Sequence, residues 1–148
     1  MKLHYLIEQY LKDNTHMQLA TVKDGQPWIC TVYFAADNDF SLYWMSARER
    51  QHSVEIKNDS KVAVTVVRDT ERKQALQIVG EAYEVSDDEL VYVHNLYQNK
   101  FGIKDYNLDE IKEHKLTGRA YWVCRPTKIS LWDEVNFPDS PKQVLELS

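Results

Sequence analysis

The sequence predicts an α+β fold that is mostly β. Six or seven short antiparallel strands form a closed or partly open barrel with helices at its periphery. Three observations predict it. Short runs of aromatic and β-branched residues recur along the chain, separated by compact turn signals. Asp24-Gly25 marks a tight hairpin between the first two runs. A helix-forming stretch then interrupts the strands after the third.

The elements follow in order. Leu3, Leu6, Ile7, Tyr10 and Leu11 recur at helical spacing, so residues 2–13 form an amphipathic helix that Asp13-Asn14 ends. Residues 17–22 and 28–35 are the first two strands. Asp37-Asn38-Asp39 turns the chain into a third at 40–45, which completes an antiparallel meander. Residues 46–58 lack a β-branched run and read as helix. Residues 61–67 are nearly all apolar and read as a central strand buried on both faces. In residues 74–85, Leu76, Ile78 and Ala82 alternate with Gln77, Glu81 and Tyr83, and Gly80 suggests a bend or bulge. Ser86-Asp87-Asp88-Glu89 opens a helix reaching Lys100, and 107–114 a shorter one. Strands at 120–124 and 128–133 flank Pro126, and the tail from Phe137 holds one short edge strand. No linker or repeat divides the 148 residues, which read as one domain, 1–148.

Composition excludes several functions. The net charge is −5 with no long basic run, which argues against nucleic-acid binding. No apolar run approaches the ~18 residues of a membrane span, and the N-terminus lacks a signal-peptide core. Cys30 and Cys124 are isolated, with no His at ligand spacing, so neither a metal nor a disulfide framework is expected, and the setting reads as a reducing cytoplasm. The four glycines lie far apart, so a P-loop and a dinucleotide fingerprint are both absent.

The segment Tyr43–Ser53 carries the chemistry. Ser46 and Glu49 have capping-box spacing, which makes Ser46 the N-cap of the following helix. Arg48, Arg50 and His52 then fall in its first two turns. Cations there oppose the macrodipole, and a bound anion resolves the conflict. In the alternative reading Arg48 and Arg50 are simply solvated, and His52 is a surface residue beside Glu49 or Glu55.

The ordered set Leu19–Val22, Asp24–Trp28, Val32–Phe34, Leu42–Ser46, Arg50–Ser53, Val62–Val67, Leu76–Gly80, Tyr97–Phe101 and Ile129–Asp133 resembles the pyridoxamine 5′-phosphate oxidase-like family of FMN-binding split barrels. The resemblance implies a homodimer with FMN at its interface and an oxidoreductase function, with the substrate open. It places Cys30, Thr31, Val32 and Tyr33 beside the isoalloxazine ring, and Met45 and Ser46 at the strand–helix junction, with Ser46 near the phosphate. Arg50 and His52, flanking Gln51, match a basic pair that grips the phosphate, although the family often has Lys where this chain has His52. Gln77 matches a glutamine that reaches the ligand, and Trp132 approaches from the partner chain. The Arg-rich C-terminal substrate segment of pyridoxamine phosphate oxidases has no counterpart here. A non-enzymatic flavin- or haem-binding sensor or carrier on the same fold is the alternative, and a deazaflavin could replace FMN. No residue stands out as catalytic. Trp28, Trp44 and Trp122 read as core or interface aromatics, Cys30 by default as a small buried hydrophobe, and His4, His16, His94 and His114 as surface residues.

Overall fold

The structure is a computed structural model that describes residues 2–102, 107–113 and 118–147; His114, the last residue of the expected 107–114 helix, lies outside these. The strands are β1 (His16–Lys23), β2 (Gln26–Tyr33), β3 (Ala35–Ala36), β4 (Leu42–Ala47), β5 (Lys61–Asp69), β6 (Gln74–Glu84), β7 (Arg119–Asp133) and β8 (Lys142–Glu146). The helices are α1 (Lys2–Asp13), α2 (Gln51–Asn58), α3 (Leu90–Phe101) and α4 (Leu108–Glu113), and a 3-10 turn at Asp87–Glu89 leads into α3. The strands form one antiparallel sheet in the order β2-β1-β5-β6-β7-β4-β3, with β8 paired to β7. This is the expected mostly-β, partly open barrel of α+β type.

The hairpin at Asp24-Gly25 has φ of 50° and 79°, the pair of left-handed residues that a type I′ turn requires. The first three strands do not form a meander, however. Buried Phe34 breaks away from β2, and the Asp37 turn joins the two-residue β3 to β4 instead. One Asp37 carboxylate oxygen accepts the backbone N–H groups of Asp39 and Ser41, both at 3.0 Å. β4 then pairs with β7, from Leu42 opposite Cys124 to Ala47 opposite Arg119. β2 and β4 approach one another without a ladder, which leaves a seam in the barrel.

Two further expectations are corrected. β5 buries only Val62, Val64 and Val66; Lys61, Ala63 and Val67 face outward, so the strand alternates instead of being buried on both faces. Residues 119–133 form one strand rather than two. Pro126 is accommodated where β7 changes its outer neighbour, since β4 pairs only as far as Cys124 and β8 only from Lys128. No third strand needs the missing N–H there.

Gly80 sits at that point, and the β6–β7 register shifts between Val79 and Gly80. A Cβ on Gly80 would lie 2.4 Å from the Arg125 carbonyl oxygen and 2.9 Å from Pro126 Cα. Both are backbone atoms, so the strands must part. Gly80→Ala is expected to destabilise the chain by about 1–3 kcal/mol, measured by urea denaturation; an unchanged midpoint would refute this close approach.

The barrel interior holds Leu19, Trp44, Val66, Ile78, Trp122 and Leu131, and α1 packs Ile7, Tyr10 and Leu11 onto it. A second cluster, with Tyr43, Tyr121 and Val123, lies on the opposite side of β4 and β7, under Leu90, Val93 and Tyr97 of α3. Trp44 and Trp122 are thus core, whereas Trp28 is exposed and belongs to neither cluster.

Buried Asp133 joins α1 to the end of β7. It accepts hydrogen bonds from the Tyr10 hydroxyl at 2.8 Å, the Gln74 amide at 3.2 Å and the Asn136 amide at 2.7 Å. Burial alone would raise its pKa, but the Asn136 side-chain and backbone donors, Tyr10 and Gln74 outweigh it and hold the carboxyl below its ordinary value. Its contribution is therefore complete above about pH 4 and is lost as pH falls through the lower folded value. Asp133→Asn should flatten the acid limb of the stability profile; an unaltered limb would contradict this linkage.

Candidate functional site

The seam between β2 and β4 opens into a cavity of about 390 Å³. Thr31, Val32 and Tyr33 line it from β2, and Met45, Ser46 and Ala47 from β4. Arg50 and His52 come from the start of α2, Tyr97 from α3 and Arg119 from the first residue of β7. The volume falls in the range of small-molecule sites, and walls that mix the apolar Val32, Met45 and Ala47 with polar side chains suit a flat ligand with a charged end.

The Ser46 end is built differently from its sequence signal. α2 begins at Gln51, and its N-cap position is Arg50 (φ −62°, ψ 146°), which makes no side-chain cap. Ser46 is not the N-cap, because β4 stays paired to β7 through Ala47 and holds Ser46 extended. The Ser46 carbonyl accepts from Trp122 Nε1 at 3.0 Å. Its hydroxyl lies 2.7 Å from His52 Nε2, and the Glu49 carboxylate accepts the Gly118 N–H. Both residues of the apparent capping box are used, each with a tertiary partner.

Arg48 and Arg50 also divide. Arg48 is buried, neither solvated nor in the cavity. Its Nε and Nη2 donate to the two Glu84 carboxylate oxygens at 3.1 and 3.0 Å, and Nη2 also to the Ile111 carbonyl at 2.9 Å. This fork ties the β4–α2 loop to β6 and α4. Glu55 fixes α2 against β1, accepting from the buried Thr21 hydroxyl at 2.9 Å and from Gln51 Nε2 at 2.9 Å. Arg50 is exposed at the cavity rim.

His52 is buried, and its pKa lies below the ordinary imidazole value. Burial is the main cause and the Arg50 charge adds to it, against a smaller opposing effect of Glu55. Before any anion enters, this shift favours the neutral imidazole, which is bonded to Ser46, and the permanent positive charge beside it belongs to Arg50. An anion beside it would favour the protonated ring.

The cavity brings together Thr31, Val32, Tyr33, Met45, Ser46, Arg50 and His52. Half-buried Cys30 packs against the barrel interior, and exposed Gln51 is bonded to Glu55; neither lines the cavity. Gln77 and Trp132 line a second cavity of about 420 Å³ with Val67, Lys73 and Glu134. Sequence reasoning missed Tyr97 and Arg119. Tyr97 stands at helical spacing from Leu90 and Val93, which signals only core, and Arg119 enters through its register with Ala47. His94 is not a free surface residue, since its Nδ1 lies 2.9 Å from the Tyr121 hydroxyl. Among the described residues no group of His, Cys, Asp or Glu could hold a metal, and no helix is long and apolar enough to cross a membrane.

No curated protein sequence matches the chain. Among solved structures it is similar to the General Stress Protein 26 of Bacillus anthracis, with 21% identity and a TM-score of 0.70 over 99% of this chain and 100% of that one. A heme binding protein of Mycobacterium smegmatis gives 15% identity and a TM-score of 0.73 over 94% of this chain and 56% of that one. An F420 reductase gives 23% and 0.63, over 83% and 94%. Likeness at these identities is a likeness of fold. The family model described as Pyridoxamine 5′-phosphate oxidase matches residues 4–133, and on that match the chain belongs to the pyridoxamine 5′-phosphate oxidase family.

Proposed function

We propose that the protein is a flavin-dependent oxidoreductase that binds FMN in the β2–β4 cavity. One observation carries the reading: a cavity lined by both apolar and polar side chains that brings Ser46 of β4 together with Arg50 and His52 at the start of α2. Arg50 supplies a permanent charge and a planar fork, and Ser46 and His52 supply short polar contacts for a phosphate. The free N–H groups at the start of α2 add to these donors. Thr31, Val32 and Tyr33 lie along β2, where a flat ring can rest. A bound flavin supplies the hydride or electron transfer, and the protein supplies orientation and electrostatics.

The same reading makes the protein a homodimer. Val67, Val79, Tyr83 and Trp132 leave much of their surface exposed on the barrel exterior, and such apolar patches favour a protein partner. Gln77 and Trp132, outside the cavity of their own chain, would complete the partner's site.

Two measurements test the proposal: the absorbance spectrum of the purified protein, and fluorescence titrations with FMN and riboflavin alongside a solution mass. Saturable FMN binding by a dimer supports it. A colourless protein that does not bind added FMN overturns it. Bound flavin that no nicotinamide cofactor or substrate panel reduces would favour a carrier or sensor instead.

A further inference from the structure

The last turn of α3 lies between two cavities. Tyr97 lines the β2–β4 cavity. Leu96, Asn99 and Lys100 line a second space of about 350 Å³, walled on its other sides by Leu11 and Lys12 of α1 and by Ala35 and Ala36 of β3. Successive helical residues point about 100° apart, so the two sets occupy neighbouring stripes of one helix. Phe101, one turn beyond Tyr97, packs against that ring at 4.7 Å and against Tyr33 of β2 at 5.8 Å. Tyr97 is seated over β4 and β7 with Tyr43 and Tyr121, so the turn reaches from those strands across the seam to β2.

Lys100 holds the turn in that position. Its Nζ donates to the Leu11 carbonyl at 3.3 Å and to the Asn14 carbonyl, at the end of α1. It also stands 4.2 Å from the centre of the Phe34 ring, where the chain leaves β2, and 5.6 Å from that of Phe101. Arg48 makes a fixed joint by forking onto a carboxylate, whereas Lys100 is held by neutral carbonyls and ring faces, a tether that thermal motion can undo. The second cavity gives the turn room to swing away from the first.

We propose that the last turn of α3, from Tyr97 to Phe101, is a gate on the β2–β4 cavity and that Lys100 is its latch, a positioning residue that keeps both rings closed over the ligand. A gate sets how often the site is open, so it scales the rates of entry and exit together. A wall that only touches the ligand alters mainly its exit. The identity of the ligand rests on the proposed function; the latch does not.

Amide hydrogen exchange of the unliganded protein tests the latch, and stopped-flow fluorescence with FMN tests the gate. Lys100→Met keeps the length of the side chain and removes its charge and donors. Protection at residues 97–101 should fall about tenfold, while β5, β6 and β7 keep theirs. Lys100→Gln, which retains a neutral donor, should give a smaller loss in the same place. Lys12→Met, on the wall of the same cavity but without the tether, should change nothing. Lys100→Met should take up and release FMN about tenfold faster, with Kd shifting by less than about threefold. Unchanged protection at the end of α3 overturns the inference, as does an equal loss in Lys12→Met or in the core strands. Faster release with unaltered uptake also overturns it, because Lys100 would then only support a wall. If the end of α3 loosens in Lys100→Met but the protein binds no FMN, the flavin reading fails and the latch stands.

Discussion

Arg48→Ala is expected to lower the unfolding free energy by about 3 kcal/mol, the cost of breaking a buried ion pair by removing one partner. The Arg48 side chain is 1% exposed and Glu84 only 21%. Without the guanidinium, Glu84 keeps Lys57 at 3.5 Å, from an ammonium that is itself 47% exposed, and the Ile111 carbonyl loses the Arg48 donor. The effect is large because the fork reaches both β6 and α4 from the β4–α2 loop. Arg48→Lys should recover less than half, since a single ammonium cannot span both carboxylate oxygens and the carbonyl. Urea denaturation followed through the buried Trp44 and Trp122 measures it; a loss under 1 kcal/mol would show that the pair is dispensable.

Arg50→Ala should do the reverse. Arg50 is exposed, so stability should change by no more than about 0.5 kcal/mol. FMN affinity should fall about 10- to 100-fold, the equivalent of one or two kcal/mol in hydrogen bonds to a charged group. Riboflavin lacks the phosphate, so its affinity should hardly move. The difference between the two ligands isolates the contact from any general damage to the cavity. Parallel losses for FMN and riboflavin would remove Arg50 from the phosphate site, and retained FMN affinity would remove it from the site altogether.

These two arginines show how far local pattern reaches. They lie two residues apart, and helical periodicity puts both in the first turns of one helix. Whether a side chain meets solvent, a carboxylate or a cavity depends on β6 and α4, which lie tens of residues away in the chain. Ser46 and Glu49 show the same limit. Their spacing suits a helix cap, but the β4–β7 ladder holds Ser46 extended and leaves it for His52. Long-range pairing overrode a cap worth about 1 kcal/mol.

Other features were legible because their causes are local. Asp24-Gly25 dictates its turn, since both residues tolerate positive φ. The alternation of Leu76, Ile78 and Ala82 orients β6, and Gly80 announced the irregularity beside Pro126. Most of the strands and helices, and the family resemblance, could be read from residue order, because period and turn chemistry act over a few residues. Strand neighbours could not. That β4 joins β7 and leaves a seam beside β2 depends on which faces bury each other across the whole barrel. The same packing drew Tyr97 and Arg119 to the cavity and set Gln77 and Trp132 in a separate one. The sequence around Ser46 and Arg50 pointed to a candidate anion site; which residues line the cavity there was decided by tertiary packing, because burial and strand register are properties of the assembled sheet.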